Sequence, residues 1–235
     1  MNIVNHTTIQ ELVRRAVFAH KKFKHKLIIK ITNPSDIGII QHIKEFQSDN
    51  VVIDIEYKFQ NPRATFHKDI ENYHVGLVIV SKEAFKDDKT RKMLYDAHVP
   101  VLKIANRSFS AVRDAVLILS QNRDLEKVST TIFDISAQMG FNIELYSYLS
   151  DNQEENEQVI EHYKNLSTIF SKSIKATREN KNPLLALRQR ENFIHILPFT
   201  NKLTSKRLYS LLSTDSEKLS HKLDEYHQIF IPLQL

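Results

Sequence analysis

Histidine is the residue type in this sequence whose abundance most readily suggests chemistry. There are eleven histidines, and neutral imidazole is a common ligand of transition metals. A metal-binding helix usually presents two histidines four residues apart, as in His-Glu-x-x-His. That motif is absent, and the nearest pairs have other spacings: His20/His25, His67/His74 and His221/His227. We therefore expect ordinary surface or core histidines and no metal site.

Motifs of nucleophilic catalysis are also missing. The sequence has no Gly-x-Ser-x-Gly elbow, Walker loop or Gly-x-Gly-x-x-Gly fingerprint. It has no cysteine, which excludes thiolate catalysis, disulfides and cysteine-ligated metal. The acidic pairs Asp87-Asp88 and Glu154-Glu155 lie in polar stretches and are typical of solvated faces. We predict no catalytic residues and a protein that is not an enzyme.

Charge and hydropathy restrict the partners. The net charge is +5, and part of it lies in the cluster from His20 to Lys26. Because this cluster closes an amphipathic helix, we interpret it as a solvated helix end and expect no nucleic-acid partner. A membrane span needs about 20 apolar residues, and the apolar runs here are far shorter. The first residues turn polar too early for a signal peptide. We expect a cytoplasmic protein with no direct membrane insertion.

Alternating apolar runs and helix-start signals define the elements of the first part of the chain. Thr8 and Glu11 form a capping box, and Asn61-Pro62 places an N-cap before a proline at the first helical position. The predicted strands are Ile3-Val4, Leu27–Ile31, Val51–Phe59, Val75–Val80 and Val99–Ile104. Helices are predicted between them, so the order is strand, helix, strand throughout.

The same order returns in the second part. Gly140 is placed to end a helix in the left-handed conformation, and Asn182-Pro183 repeats the earlier helix start. The predicted strands are Ala115–Leu119, Ile143–Tyr148, Ile174–Thr177, Phe193–Leu197 and Ile229–Leu233. We therefore predict an internal duplication with one copy over 1–106 and a degenerate copy over 111–235. The fold class is α/β, with two tandem doubly wound parallel five-stranded sheets.

Three motifs resemble the universal stress protein family in its tandem form. Asn61-Pro62, the strand Gly76–Val80 and the closing strand Val99–Ile104 match the family pattern in order and spacing, and the resemblance covers nearly the whole chain. It implies a Rossmann-like fold in which Val99–Ile104 and Ile229–Leu233 pair. That pairing would make the chain an intramolecular pseudo-dimer, or support self-association, and would remove two exposed sheet edges.

Members of that family that bind ATP carry an Asp at the tip of the first strand and a glycine-rich loop after the fourth. Glycines let backbone N–H groups approach phosphate closely. Here both copies lack the Asp, and neither Ser81–Phe85 nor Pro198–Lys202 contains glycine. We therefore predict no cofactor and keep ATP or another adenosine nucleotide as the alternative. In that alternative, polar residues at the carboxyl ends of the strands would contact the nucleotide: Asn5, Thr32, Ser81, Ser120, Tyr148 and Thr200.

Three function hypotheses follow from these observations. The first is a non-catalytic regulatory or sensor protein that acts by binding a ligand or a partner. Since similar domains form the cytoplasmic tails of monovalent-cation/proton antiporters and other transporters, the resemblance implies either such a tail, acting with a membrane transporter at the inner face of the membrane, or a free-standing relative. The second is a nucleotide-binding module. The third is a hydrolase, because related folds host many reactions, and it would require a cluster of groups with perturbed pKa values at the strand ends.

Overall fold

The structure is a computed structural model. It describes residues 27–31, 44–45, 53–57, 62–105, 112–119, 124–148, 153–179, 183–190, 192–204 and 215–233. We call the described residues up to Ala105 the first half and those from Val112 onward the second half.

Nine strands are present in the described residues. They are β1 Leu27–Ile31, β2 Ile53–Tyr57, β3 Val78–Ser81, β4 Val101–Ile104, β5 Asp114–Leu119, β6 Asn142–Tyr148, β7 Ile174–Glu179, β8 Phe193–Phe199 and β9 Gln228–Pro232. Strands β1 and β2 form a parallel pair, and the other seven form one sheet in the order β3-β4-β9-β8-β5-β6-β7. All neighbours in that sheet are parallel except β4 and β9. The architecture is therefore α/β with a mostly parallel sheet.

Eight α-helices connect these strands in the described part of the chain. They are α1 Pro62–Asn72, α2 Lys82–Lys86, α3 Asp88–Asp96, α4 Asp124–Lys127, α5 Ser129–Met139, α6 Gln153–Ile169, α7 Pro183–Leu187 and α8 Asp215–Lys222, and a short 3-10 helix covers Asn201–Thr204. Helix α5 ends at Gly140, whose φ of 74° lies in the left-handed region. This confirms the role that the sequence predicted for that glycine.

The two halves join through β4 and β9, which we call the seam. Val101, Leu102 and Lys103 pair antiparallel with Phe230, Ile229 and Gln228. We expected two five-stranded sheets, but the described strands form one continuous seven-stranded sheet and a separate pair. The physical reason is that two closing strands, each an edge of its own half, satisfy their free backbone groups by pairing with each other.

The second half has the strand order β7-β6-β5-β8-β9, which is the doubly wound order expected from its sequence. Most predicted strands are present with shifted ends. Leu27–Ile31 is found as predicted, β2 lies within the predicted strand Val51–Phe59, and Val75–Val80 is displaced to β3. The predicted strand Ile3-Val4 and the capping box at Thr8 lie outside the described residues.

The two faces of the large sheet differ in what covers them. One face is a single apolar core, in which strand residues such as Leu117 and Ile229 pack with helical residues such as Phe133 and Tyr163. Among the described residues, the other face carries two separate apolar clusters. One is centred on Val116, Phe193 and Tyr226, and the other on Phe85, Val101, Leu197 and Phe230. The second of these clusters contains residues from both halves and therefore stabilises the seam. We call it the apolar seam cluster.

Phe230 provides a test of how much that seam cluster contributes to stability. Its ring is fully buried and stacks on Phe85, with 4.4 Å between ring centroids. We expect Phe230→Ala to lower the free energy of unfolding by about 3–5 kcal/mol, because a large buried side chain is lost and a cavity remains. Urea unfolding measures this. Ile169→Ala is the control, since that side chain is 75% exposed, and an equal loss in both variants would contradict the assignment.

Candidate functional site

A row of buried polar side chains crosses the seam. Lys103 on β4 is in register with Gln228 on β9, and Gln228 is in register with His195 on β8. In-register neighbours project from the same face of a sheet. We call Lys103, Gln228 and His195 the polar row; their exposed fractions are 1%, 0% and 1%. On this face the row lies next to Val101, Phe230 and Leu197 of the apolar seam cluster.

Asp224 connects the polar row to the first half through two lysines. Its Oδ1 accepts a hydrogen bond from Lys103 Nζ at 2.7 Å, and its Oδ2 lies 2.8 Å from Lys82 Nζ. Its backbone carbonyl also accepts from Lys103 Nζ, at 3.2 Å. Lys82 pairs in addition with Glu225, whose side chain is 67% exposed. Two buried lysines of the first half therefore face two acidic residues of the turn before β9.

Burial and charge shift the pKa values of these groups in different directions. Burial lowers the pKa of Lys103 to about 8, although Asp224 opposes the shift. Burial, assisted by the charge of Lys103, lowers the pKa of His195 to about 3. Burial also disfavours charge on Lys82 and Asp224, but their mutual contacts prevail, so the pKa of Lys82 is raised and that of Asp224 is lowered. The cluster at neutral pH is thus an ion-paired set beside a neutral imidazole.

Gln228 connects the row to α8. Its Nε2 donates to Ser220 O at 3.0 Å and lies 3.4 Å from His195 Nδ1. Beside the row, His227 Nδ1 accepts from the backbone N–H of Ala105 at 3.1 Å. The first half thus contributes a lysine and a backbone amide, and the second half contributes the acceptors. The contact of His227 with Ala105 crosses the seam, and the contacts of Gln228 position a residue that pairs with Lys103 across it.

A second polar network lies at the amino ends of the strands of the second half. Arg190 donates to Glu144 at 2.6 Å, to Asp114 at 2.7 Å and to the Tyr146 hydroxyl at 2.6 Å. Lys175 pairs with the same glutamate at 2.7 Å. Burial opposes ionisation of Glu144, but its hydrogen bonds with Lys175 and Arg190 lower its pKa overall. These charges compensate one another, so the network is a structural one.

Ser129 and His162 are close enough to resemble a nucleophile and its base. Ser129 Oγ lies 2.8 Å from His162 Nε2. However, the same hydroxyl donates its proton to the carbonyl of Glu126 at 2.7 Å, so the imidazole donates to the serine oxygen. A serine in this arrangement is not activated for attack, and the pair does not support the hydrolase hypothesis.

Three of the six residues predicted to contact a nucleotide lie in the described part of the chain. Ser81 ends β3, and its hydroxyl accepts from Ala84 N–H at 3.1 Å, which caps α2. Thr200 follows β8 and is half-buried, and Tyr148 ends β6. Because β4 and β9 are antiparallel, β3 and β8 run in opposite directions. Their carboxyl ends therefore lie at opposite ends of the strands of the sheet. Ser81 and Thr200 therefore do not share a pocket. Asn5, Thr32 and Ser120 lie outside the described residues.

The described residues that directly follow β3 and β8, as far as Lys86 and Thr204, do not form a loop that grips phosphate. Helix α2 begins at Lys82 directly after the Ser81 cap, which leaves no loop at this place. After β8, the 3-10 helix is bound by Arg91, whose Nε donates to Leu203 O at 2.8 Å. Among the described residues, no group of three or more His, Asp or Glu side chains is arranged to hold a metal ion.

The polar row was missed by the sequence reasoning, although a signal for it exists. Lys103 and His195 each interrupt an otherwise apolar strand, and a charged or titratable residue at such a position needs a buried partner. Asp224 is 121 residues distant in sequence from Lys103, and Gln228 is 33 residues distant from His195. Only the antiparallel seam brings these four side chains together.

Comparison with solved structures shows the fold. A universal stress protein from Archaeoglobus fulgidus DSM 4304 matches with a TM-score of 0.61 at 13% identity, over 98% of this chain and 93% of that one. A putative universal stress protein from Pseudomonas aeruginosa UCBPP-PA14 matches with 0.59 at 13%, over 94% and 87%. The cytoplasmic domain of a prokaryotic cation chloride cotransporter matches with 0.57 at 12%, over 94% and 90%. No family model matches the sequence, and no curated protein is detectably similar to it. The fold is therefore the one found in universal stress proteins, as the sequence motifs indicated.

Asp224 tests whether the cluster holds the seam. Replacement by Asn leaves two buried lysines without their shared carboxylate, so we expect Asp224→Asn to lower the free energy of unfolding at pH 7 by about 2–4 kcal/mol. Urea unfolding is the measurement. Glu225→Gln is the matched control, since an exposed partner contributes less than about 1 kcal/mol. Equal stability of Asp224→Asn and the unchanged protein would contradict the role of the cluster.

Proposed function

We propose that this chain is a non-catalytic regulatory module that acts by binding a ligand or a protein partner. In this proposal the two halves are degenerate copies of one universal-stress-like unit, joined as an intramolecular pseudo-dimer. The pairing of β4 with β9 supports it, because each is the closing strand of its half. The partner we propose is the membrane-embedded part of a cation transporter, with monovalent-cation/proton antiporters as the class that the sequence resemblance suggested.

The proposal that the protein is non-catalytic rests on one observation: the side chains most suited to chemistry, Lys103 and His195, are occupied in contacts inside the protein. Lys103 and His195 have strongly shifted pKa values, which is a common property of active sites. Yet both are almost fully buried, and Lys103 is paired with Asp224. A general base or nucleophile has to reach its substrate within hydrogen-bond distance. Lys103 instead binds the first half to Asp224 of the second, and His195 contacts Gln228 within the second half. Such internal use of both groups suits a protein whose output is conformational.

The proposal of a transporter partner is supported by the similarity of the fold to one solved structure. One of the similar structures is the cytoplasmic domain of a cation chloride cotransporter, and it covers 94% of this chain. No helix among the described residues is long and apolar enough to cross a membrane. A link to a membrane would therefore come from a separate transporter or from covalent connection to one, and the inner face of the membrane is the place of action that we propose.

A membrane-association experiment tests this proposal. We expect the tagged chain, cross-linked in the cells that express it naturally, to co-purify from the membrane fraction with a cation transporter. Purification by a tag on that transporter should recover the chain. The Phe230→Ala variant, with its weakened seam cluster, is expected to recover less of the transporter. Recovery of the chain without any membrane protein would contradict the transporter proposal.

Binding of an adenine nucleotide is the alternative, and one observation favours it in the second half. Asn156 lies in the first turn of α6, directly after β6, and it is nearly fully buried. Its Nδ2 has no hydrogen-bond partner within the part of the chain that the structure describes. An unsatisfied buried donor is costly, and a bound ligand would relieve that cost. Asn156 and Tyr148 are both close to the carboxyl end of β6, where ligands of such sheets bind.

Calorimetric titration separates the two functions. We expect ATP, ADP, AMP and cyclic dinucleotides to give no heat of binding, because helical turns occupy the described residues directly after β3 and β8. Saturable binding that is lost in Asn156→Leu would support the nucleotide alternative and locate the ligand in the second half. Asn72→Leu is the control, since that asparagine is exposed at the end of α1.

A further inference from the structure

The polar row lies where the two halves meet, and two of its three side chains, Lys103 and His195, can gain or lose a proton. Lys103 belongs to the first half, His195 to the second, and Gln228 stands between them in the register. The seam itself is short, with three in-register residue pairs between β4 and β9. A change of charge within a short interface alters a large fraction of its contacts. The protonation of Lys103 and His195 therefore affects the stability of the pairing of β4 with β9.

We propose that the seam is a proton-responsive joint, in which protonation of the polar row loosens the pairing of β4 with β9 and loss of the protons tightens it. Burying a charged group without full compensation costs free energy. Opening the seam would expose Lys103 and His195 to water, where their charged forms are well solvated. The closed seam therefore favours their neutral forms, and the open seam favours their charged forms.

Charged and titratable groups of several elements face the row. Lys103 faces Asp224 and Glu225 from the turn before β9, Lys82 from the start of α2, and His195 from β8. His195 contacts Gln228, which is bound to Ser220 of α8. His227 is adjacent and accepts from Ala105 N–H. One positive charge, on Lys82, and two negative charges, on Asp224 and Glu225, thus surround the row, and of these residues Asp224 contacts both Lys82 and Lys103.

The direction of the response follows from linkage. The pKa of Lys103 falls from 10.5 to about 8 in the closed state. An opened seam would bind more protons between these values, so closure becomes more favourable as pH rises from about 8 to 10.5. The pKa of His195 falls from 6.5 to about 3, so closure weakens as pH falls below 6.5. Asp224, whose pKa is lowered, acts in the same direction in acid.

Lys82 responds in the opposite sense. Its pKa is raised above 10.5 by Asp224 and Glu225, against the effect of burial. Its contribution to closure is complete below pH 10.5 and is lost only as pH rises through the raised value. Between pH 7.5 and 9.5 it stays charged and paired. In that interval Lys103 is therefore the group of this cluster whose protonation changes.

Hydrogen exchange of the backbone amides tests the proposal, because it measures how often the pairing of β4 with β9 opens. Protection factors, which are corrected for the intrinsic pH dependence of exchange, are compared at pH 7.5 and 9.5 for peptides covering 100–105 and 226–232. We expect protection of these peptides to rise on the order of tenfold in the unchanged protein. Peptides covering 114–119 and 142–148, which belong to the pairing of β5 with β6, are the internal reference and should not change.

Three variants identify the group responsible. Lys103→Met removes the charge while retaining a long buried side chain, and it should abolish the rise. Asp224→Asn should make the rise begin at lower pH, because the loss of the carboxylate lowers the pKa of Lys103 in the closed state and leaves its value in the open state unchanged. Lys172→Met is the matched control: this lysine also has a pKa lowered by burial, but its Nζ donates to Ser136 O, away from the seam. It should retain the full rise.

Two results would overturn the proposal. One is constant protection of the seam peptides between pH 7.5 and 9.5 in the unchanged protein, which needs no variant to fold. The other is an undiminished rise in Lys103→Met. A separate test uses acidic pH. The protection of the seam peptides should fall when the pH is lowered from 6.5 to 4.5, and it should fall less in His195→Gln. None of these outcomes depends on a transporter or a nucleotide, so the joint is tested independently of the proposed function.

Discussion

The antiparallel pairing of β4 with β9 is the contact on which the large sheet depends. Each half contributes a closing strand whose outer backbone groups would otherwise face solvent. Their pairing joins two strands of the first half to five of the second. The stacked rings of Phe85 and Phe230 then cover the joint on one face, while Leu102 and Ile229 enter the main core on the other. Backbone pairing and apolar burial therefore act at the same place.

A polar row inside such an interface lowers its stability but fixes its alignment. An apolar row of the same volume would often be as stable or more stable. However, a shift of β9 by one residue would turn Gln228 to the opposite face, into the apolar core, and would place an apolar residue beside Lys103. The hydrogen bonds of Lys103 with Asp224 would then be lost. The charged cluster therefore penalises the wrong register more strongly than it stabilises the right one.

Much of the fold could be predicted from local patterns, and much of the site could not. Alternation and helix spacing identified β1, α1 and α6, and Gly140 was recognised as a helix end because one residue type suits that conformation. The prediction that Val99–Ile104 lies beside Ile229–Leu233 came from a family resemblance and from the general need to cover sheet edges. In contrast, the contact of Lys82 and Lys103 with Asp224 depends on a register between distant segments. Local periodicity carries no information about that register.

The seam also has a consequence for the order of events during synthesis. Residues 101–104 leave the ribosome more than a hundred residues before their partners in 228–232. Until then β4 is an unprotected edge with the buried-type residues Val101, Leu102 and Ile104, a type of segment that can pair with other chains. Contacts of such large sequence separation also form slowly. Lys103, in the middle of this strand, places a charge where a nascent chain would otherwise be most prone to aggregate.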